Sequence, residues 1–260
     1  ASIALLLTAR PMSGTKAFQS LRDTGLRGAE IAGFSPEEFM RLLHAPTSDI
    51  SSCATSLSGA IEPGSRVRVQ GSGGTSLEFV AAAEREIRDG VIRENGEFGA
   101  LPGGFVRICV EPGTLKGELR VDMWPPQPPE GRLILAFDKG VLGSVSHPEF
   151  REALHHGAVV ESVGFGLNAA ARPGQSAAES LLAAGSAFVR VLPHGARGAD
   201  PMDFVFAGPS VVVSGVPVPK GVLSPPPPRE FMPEAIPIQS AAARPSGGAE
   251  ASTITRRPYW

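Results

Sequence analysis

Cysteine, lysine, tyrosine and tryptophan are all scarce in this chain of 260 residues. It has two Cys, one Tyr and two Trp, and its only lysines are Lys16, Lys116, Lys139 and Lys220. Two cysteines cannot staple a chain of this length, which excludes a disulfide scaffold. Cys53 and Cys109 read as reduced, buried thiols of an intracellular protein. Neither has a CxxC partner, so a zinc site is disfavoured. Charged residues are only 19% and the net charge is −2, which excludes a histone-like basic coat. The 31 glycines follow no three-residue period, so collagen is excluded. The opening run Ser2 to Ala9 is too short to span a bilayer and lacks a basic leader. The start at Ala1 reads as a mature chain that has lost its initiator Met, and a soluble, cytoplasmic protein is expected.

What abounds is Pro, Ala and Ser, which together fill 82 of the 260 positions. Hydrophobic content is 42%, enough for a core. The cations divide into 20 Arg and four Lys. Arginine's planar fork suits phosphate and base stacking, although GC-rich coding favours Arg, Ala, Gly and Pro together.

Three segments differ in kind. Residues 1–60 hold an apolar strand-like run and two short helical signals. One of these spans Gly14 to Gly28. The other is Ser35-Pro36-Glu37-Glu38, an N-cap serine, a proline at the first helical position and a capping-box glutamate. Pro46 is expected to end that helix, and the Ser- and Thr-rich stretch Thr47 to Gly59 reads as a loop. Residues 61–214 read as the folded body. Arg66-Val67-Arg68-Val69-Gln70 and Glu118 to Met123 alternate as half-buried strands do. Further strands are expected at Gly104–Glu111, Arg132–Asp138, Ala158–Phe165, Ala187–Leu192, Asp203–Ala207 and Ser210–Ser214. Helices are expected at Ser76–Glu94, Pro148–His156 and Ser176–Ala184, and Pro125-Pro126 and Pro128-Pro129 would mark an exposed excursion. The class is α+β: one compact body of mostly antiparallel strands with three to five short helices. Residues 215–260 carry ten prolines, among them Pro225 to Pro228. With no apolar period, they read as an extended proline-rich arm. The arm ends in Arg256-Arg257-Pro258-Tyr259-Trp260, a tether with an aromatic plug.

Gly71-Ser72-Gly73-Gly74-Thr75-Ser76 between a strand and an expected helix is the arrangement of a nucleotide-phosphate site, with Gly71, Gly73, Gly74 and Thr75 as cofactor-binding candidates. Ser76 stands where the dinucleotide pattern wants Gly, and no P-loop Lys follows. Thr75 as a helix N-cap with Glu78 closing a capping box explains the loop without a ligand. The mixed charges Glu84, Arg85, Glu86, Arg88 and Asp89 read as the solvated face of that helix. Glu152 precedes His155 and His156 on one turn, but no second helix offers matching metal ligands, and histidines near a helix C-terminus account for the pair. Arg66 and Arg68 on one strand face, with Arg256 and Arg257 beside Tyr259 and Trp260, are candidates for clamping RNA phosphates while bases stack. The arm carries a net +2 against −4 for residues 61–214, so any RNA contact would be a local groove.

Composition, length and an arm with Ser224 to Pro228 and Ala241 to Pro245 resemble the proline-alanine-serine-rich protein of polymycoviruses. That resemblance implies a viral structural protein of a fungal double-stranded RNA virus, one that associates with genomic RNA and in some members builds a filamentous particle. Location in the virion and the host cytoplasm would follow. The first expectation is therefore a self-assembling coat protein, its partners further copies of itself and viral RNA and no membrane. Phe231, Tyr259 and Trp260 would be the inter-subunit anchors, and repetition of that contact would give a ring or helical filament. This reading contains no catalytic residue, cofactor or metal. A second reading is a small nucleotide-binding protein or enzyme using Gly71 to Ser76. A third is an adaptor whose arm docks on SH3- or WW-type partners.

Overall fold

Period-two burial organises most of the chain. The computed structural model describes residues 3–8, 15–16, 20, 23–122, 133–154, 157–193 and 201–224. The chain divides into two units, residues 1–229 and 230–260, and the second lies outside the described residues. The strands are β1 (Ile3–Thr8), β2 (Arg27–Ala32), β3 (Arg66–Gln70), β4 (Ser76–Arg88), β5 (Phe98–Ala100), β6 (Phe105–Val110) and β7 (Lys116–Arg120). They continue with β8 (Ile134–Asp138), β9 (Val141–Val145), β10 (Val159–Gly166), β11 (Ser186–Leu192), β12 (Met202–Ala207), β13 (Ser210–Val213) and β14 (Val216–Pro217). The helices are α1 (Pro36–Leu42), α2 (Thr47–Ala60), α3 (Pro148–Leu154), α4 (Ala177–Leu182) and α5 (Lys220–Leu223).

Eleven strands form one antiparallel sheet that closes on itself. β4 pairs with β7 through its first residues and with β6 through its second half. β10 pairs with β6 and, at Val159, with β9. With β7–β8 and β8–β9 pairing as well, the ring β4-β6-β10-β9-β8-β7 is a six-stranded antiparallel barrel. Bulges supply the bends that closure needs: the register shifts between Ala81 and Arg85 in β4 and between Val160 and Ser162 in β10. The core is filled by apolar side chains, among them Val67, Leu77, Phe79, Ile108, Leu119, Leu135 and Phe165. Each such Leu or Phe contributes roughly 1.5–3 kcal/mol when fully buried.

α1 follows the capping-box reading closely. The Glu38 amide donates to Ser35 Oγ at 3.2 Å, and the Ser35 amide donates to Glu38 Oε2 at 2.7 Å. α4 starts in the same way, with Ser176 accepting from the Glu179 amide. Leu42 and Leu182 meet Phe105, Phe188 and Val205 in a second, smaller apolar cluster.

Three expectations are corrected. Ser76–Glu94 is not a helix, since residues 76–88 are strand β4, with Leu77, Phe79 and Ala81 buried in alternation. Pro46 does end α1's stretch, but it is also the N-cap of α2. Thr47 to Gly59 is accordingly helix and not loop. Its Ile50, Ala54 and Leu57 lie on one helical face and join the barrel core. The expected mostly antiparallel character holds for the eleven-stranded sheet, beside which β1, β2 and β5 form a separate three-stranded parallel sheet. The ordered body extends past residue 214: β14 and α5 follow, and Val218 and Leu223 are buried in the same core. The Pro125 to Pro129 excursion, Phe18 and Leu21 of the Gly14 to Gly28 signal, and the arm beyond Ser224 lie outside the described residues. Among the described residues no helix is long and apolar enough to cross a membrane.

Candidate functional site

β3, β4 and β7 lie side by side, and their outward residues form a polar face. Cross-strand pairing sets Arg68 opposite Glu78 and Glu78 opposite Lys116. Arg68 Nη2 lies 3.3 Å from Glu78 Oε2, while Arg66 Nε and Lys116 Nζ lie 3.7 and 3.6 Å from Oε1. The hydrogen bond from Arg68, reinforced by the other two cations, holds the Glu78 carboxyl below its ordinary pKa. Farther along β7, Arg120 Nε bonds Glu118 Oε1 at 2.8 Å. Four cations thus face two carboxylates on this stretch. Arg66 and Arg68 are 75% and 59% exposed, so the excess charge reaches solvent. The sequence placed Arg66 and Arg68 on one face. It did not disclose Lys116 and Arg120, which lie some fifty residues downstream and arrive only through sheet pairing.

The glycine-rich loop turns strand into strand, so it has no helix N-terminus. Gly71 N donates to Thr75 O and Gly74 N to Gly71 O, closing the β3–β4 hairpin. Thr75 is not an N-cap. Its buried hydroxyl donates to Arg120 O at 3.0 Å and accepts from Arg120 N at 2.9 Å, stitching β4 to β7. A side chain of the protein itself already sits on the loop, as a Cβ at Gly73 would lie 2.3 Å from Asp122 Oδ1. Asp122 Oδ2 in turn accepts from the Ala207 amide at 3.0 Å. A carboxylate thus lies against Gly73.

The charges read as a solvated helix face separate into different environments. Arg85 Nη1 donates to Ser58 O at 2.6 Å and Ser58 Oγ at 2.9 Å, tying β4 to α2. Glu86 bridges Arg88 and Arg107, and Arg107 also reaches Glu161 at 3.1 Å. Burial raises the pKa of Glu86, but its two arginines outweigh that and hold the carboxyl below its ordinary value. Arg190 and Asp203 form a two-pronged pair at 2.8 and 2.7 Å on β11 and β12. Asp89 is buried and accepts from Ser51 Oγ, the Val91 amide and Arg93. Burial raises its pKa, and those hydrogen bonds lower it further than burial raises it. Ser58, Arg107, Glu161 and Ser51 lie 21 to 54 residues from the groups they engage, so no local pattern signals those contacts.

Cys53 and Cys109 are free thiols and half-buried. Among the described residues no three His, Cys, Asp or Glu side chains converge as metal ligands. The side chains of Glu152, His155 and His156 lie outside the described residues, as do Phe231, Arg256, Arg257, Tyr259 and Trp260.

Against known proteins, no family model matches the chain and no curated protein matches its sequence. Among solved structures it is similar to wild-type AmpT from Thermus thermophilus, at a TM-score of 0.48 and 12% identity over 80% of this chain and 71% of that one. It is also similar to 2,5-dihydroxypyridine dioxygenase from Pseudomonas putida KT2440, at a TM-score of 0.65 and 15% identity, covering 82% of this chain and 69% of that chain. This last likeness is one of fold.

Proposed function

We propose that this chain is a structural protein that assembles with copies of itself and associates with RNA, in the manner of a viral coat. The observation that carries the reading is β1. Among the described residues it is an edge strand of the parallel sheet, and Ile3, Leu5 and Leu7 are 77%, 54% and 72% exposed in one row. Its sequence, Ile-Ala-Leu-Leu-Leu-Thr, contains no charge and no proline. Proteins that must stay monomeric guard such edges with lysine, proline or a bulge, so an unguarded apolar edge suits a chain that pairs with another chain. The excess of cations around Glu78 supports RNA association, since exposed arginines neutralise phosphates without reading sequence. In this reading the arm crosses to a neighbouring subunit through Phe231, Tyr259 and Trp260, and Arg256 and Arg257 join Arg66 and Arg68 on RNA. The resemblance to the polymycovirus proteins agrees with it.

Sedimentation and negative-stain microscopy of the purified full chain, with and without RNA, test the proposal. Wild-type protein is expected to form rings or filaments. Leu5→Lys and Leu7→Lys together should leave subunits, because two charges would face each other across the new pairing. A wild-type chain that stays monomeric under both conditions overturns it.

A further inference from the structure

At the barrel rim β6 runs between two bulges. β4 inserts Ala82, Ala83 and Glu84 between the pairings Ala81–Val110 and Arg85–Ile108, and β10 inserts Glu161 between Val160 and Ser162. Bulges re-aim side chains and open space beside a strand. Here they open a groove of about 560 Å³ that runs past Cys109 and Val110 and between the turns at Gly113 and Gly140. Its floor is apolar: Val110 and Val160 are nearly buried, and Val159 is 38% exposed within it. Glu84 and Glu161 stand on the rim with Lys139. Glu161 is engaged by Arg107 at 3.1 Å, whereas Glu84 is exposed and makes no ion pair among the described residues.

We propose that this groove receives the segment Arg256-Arg257-Pro258-Tyr259-Trp260 of a second copy of the chain. The inference rests on the assembly reading and names the receptor for the arm. Two properties of the groove match this occupant. The first is size and polarity. Pockets of roughly 300–1,000 Å³ with apolar walls accommodate large rings, and a Tyr and a Trp each bury roughly 150–250 Å². The second is charge, as a pair of arginines precedes the aromatics by two residues and Glu84 on the rim makes no ion pair among the described residues. The cleft beside Glu30, about 230 Å³ and lined by Glu30, Glu86, Asp89 and Glu97 together with Ile87, Ile92 and Phe98, offers less than half the room.

Cys109 lies in the groove and reports on its occupancy. Cys53, whose thiol donates to Gly221 O at 3.6 Å, lies outside the groove and serves as the control. In assembled full-length protein, maleimide labelling of Cys109 should be slowed at least tenfold relative to the Tyr259→Ala/Trp260→Ala variant, with Cys53 unchanged. Val159→Glu and Glu84→Arg should each raise the concentration needed for assembly about tenfold, and Arg257→Glu should restore assembly to Glu84→Arg. A peptide of residues 251–260 carrying a bromoacetyl group should alkylate Cys109 of the full chain. Suppose the double aromatic variant weakens assembly while Val159→Glu, Glu84→Arg and Cys109 labelling show no effect. The groove is then the wrong receptor and the assembly reading stands. A monomeric wild type overturns the assembly reading, and failure of the peptide to modify Cys109 overturns the groove.

Discussion

Arg41 and Glu179 lie 138 positions apart in the chain, yet one guanidinium nitrogen of Arg41 bonds both Glu179 carboxylate oxygens, at 2.7 and 2.6 Å. Glu179 is fully buried and also accepts from the Arg172 amide at 2.5 Å. The pair fastens α1 to α4 over the smaller apolar cluster. Removing one member of such a pair leaves a charge stranded in the interior.

Arg41→Ala should therefore destabilise the fold by about 3 kcal/mol. Urea unfolding of the variant checks this. An unchanged midpoint would mean that the pair has no role in holding the two helices.

Asn168 is buried, and each part of its amide is used. Nδ2 donates to Leu42 O at 3.1 Å and to Gly103 O at 3.0 Å, and Oδ1 accepts from the Ala170 amide at 3.0 Å. Asn168→Asp keeps the shape but removes two donors and sets carboxylate oxygens against two carbonyls. A loss of roughly 3 kcal/mol is expected, larger than for Asn168→Ser, and thermal unfolding ranks the two.

Acid should unfold the protein partly through Glu86 and Asp89. Both have folded-state pKa values below their ordinary ones. Their stabilisation is thus complete above the unfolded carboxylate pKa, near 4, and is lost as pH falls through the lower folded value. Each group adds up to about 1.4 kcal/mol per pH unit to the slope in that window. Stability measured from pH 6 to 2 should fall less steeply in Asp89→Asn than in wild type, and a parallel curve would remove Asp89 from the account.

If the cationic face carries RNA, Arg66→Glu/Arg68→Glu should weaken binding to every sequence alike. It should also lower the slope of log affinity against log salt by about two. Filter binding at several salt concentrations measures both. Equal slopes in variant and wild type would place the RNA elsewhere.

The elements legible in the sequence were those with an uninterrupted local signal. Ser35 to Glu38 announced α1, and Arg66 to Gln70 announced β3, because cap chemistry and strict alternation are contained within a few residues. β4 was misread for a physical reason. Its alternation of Leu77, Phe79 and Ala81 is interrupted by the Ala82 to Glu84 bulge, and pairing resumes only at Arg85. A strand with such an insertion presents apolar residues at mixed spacings of two and four, which imitate a helix. α2 failed in the opposite sense. Its serines and threonines suggested a loop, although Ile50, Ala54 and Leu57 keep helical spacing and packing against the barrel overrode composition. At the cationic face, Arg66 and Arg68 were visible, but Glu78 looked like a helix cap, and Lys116 is brought beside them by a pairing that no local pattern encodes.

The partnership of β3 with β13 governs how this protein must be born. Val67 and Val213 are register partners, so the early strand has one neighbour that the ribosome delivers nearly 150 residues later. Nothing nearby in the chain replaces it. Loop closure over that distance delays the final pairing, and until then the edge of β3 remains open during synthesis. Slow maturation, with a period of vulnerability to premature sticking, is a direct outcome of the way the sheet is threaded.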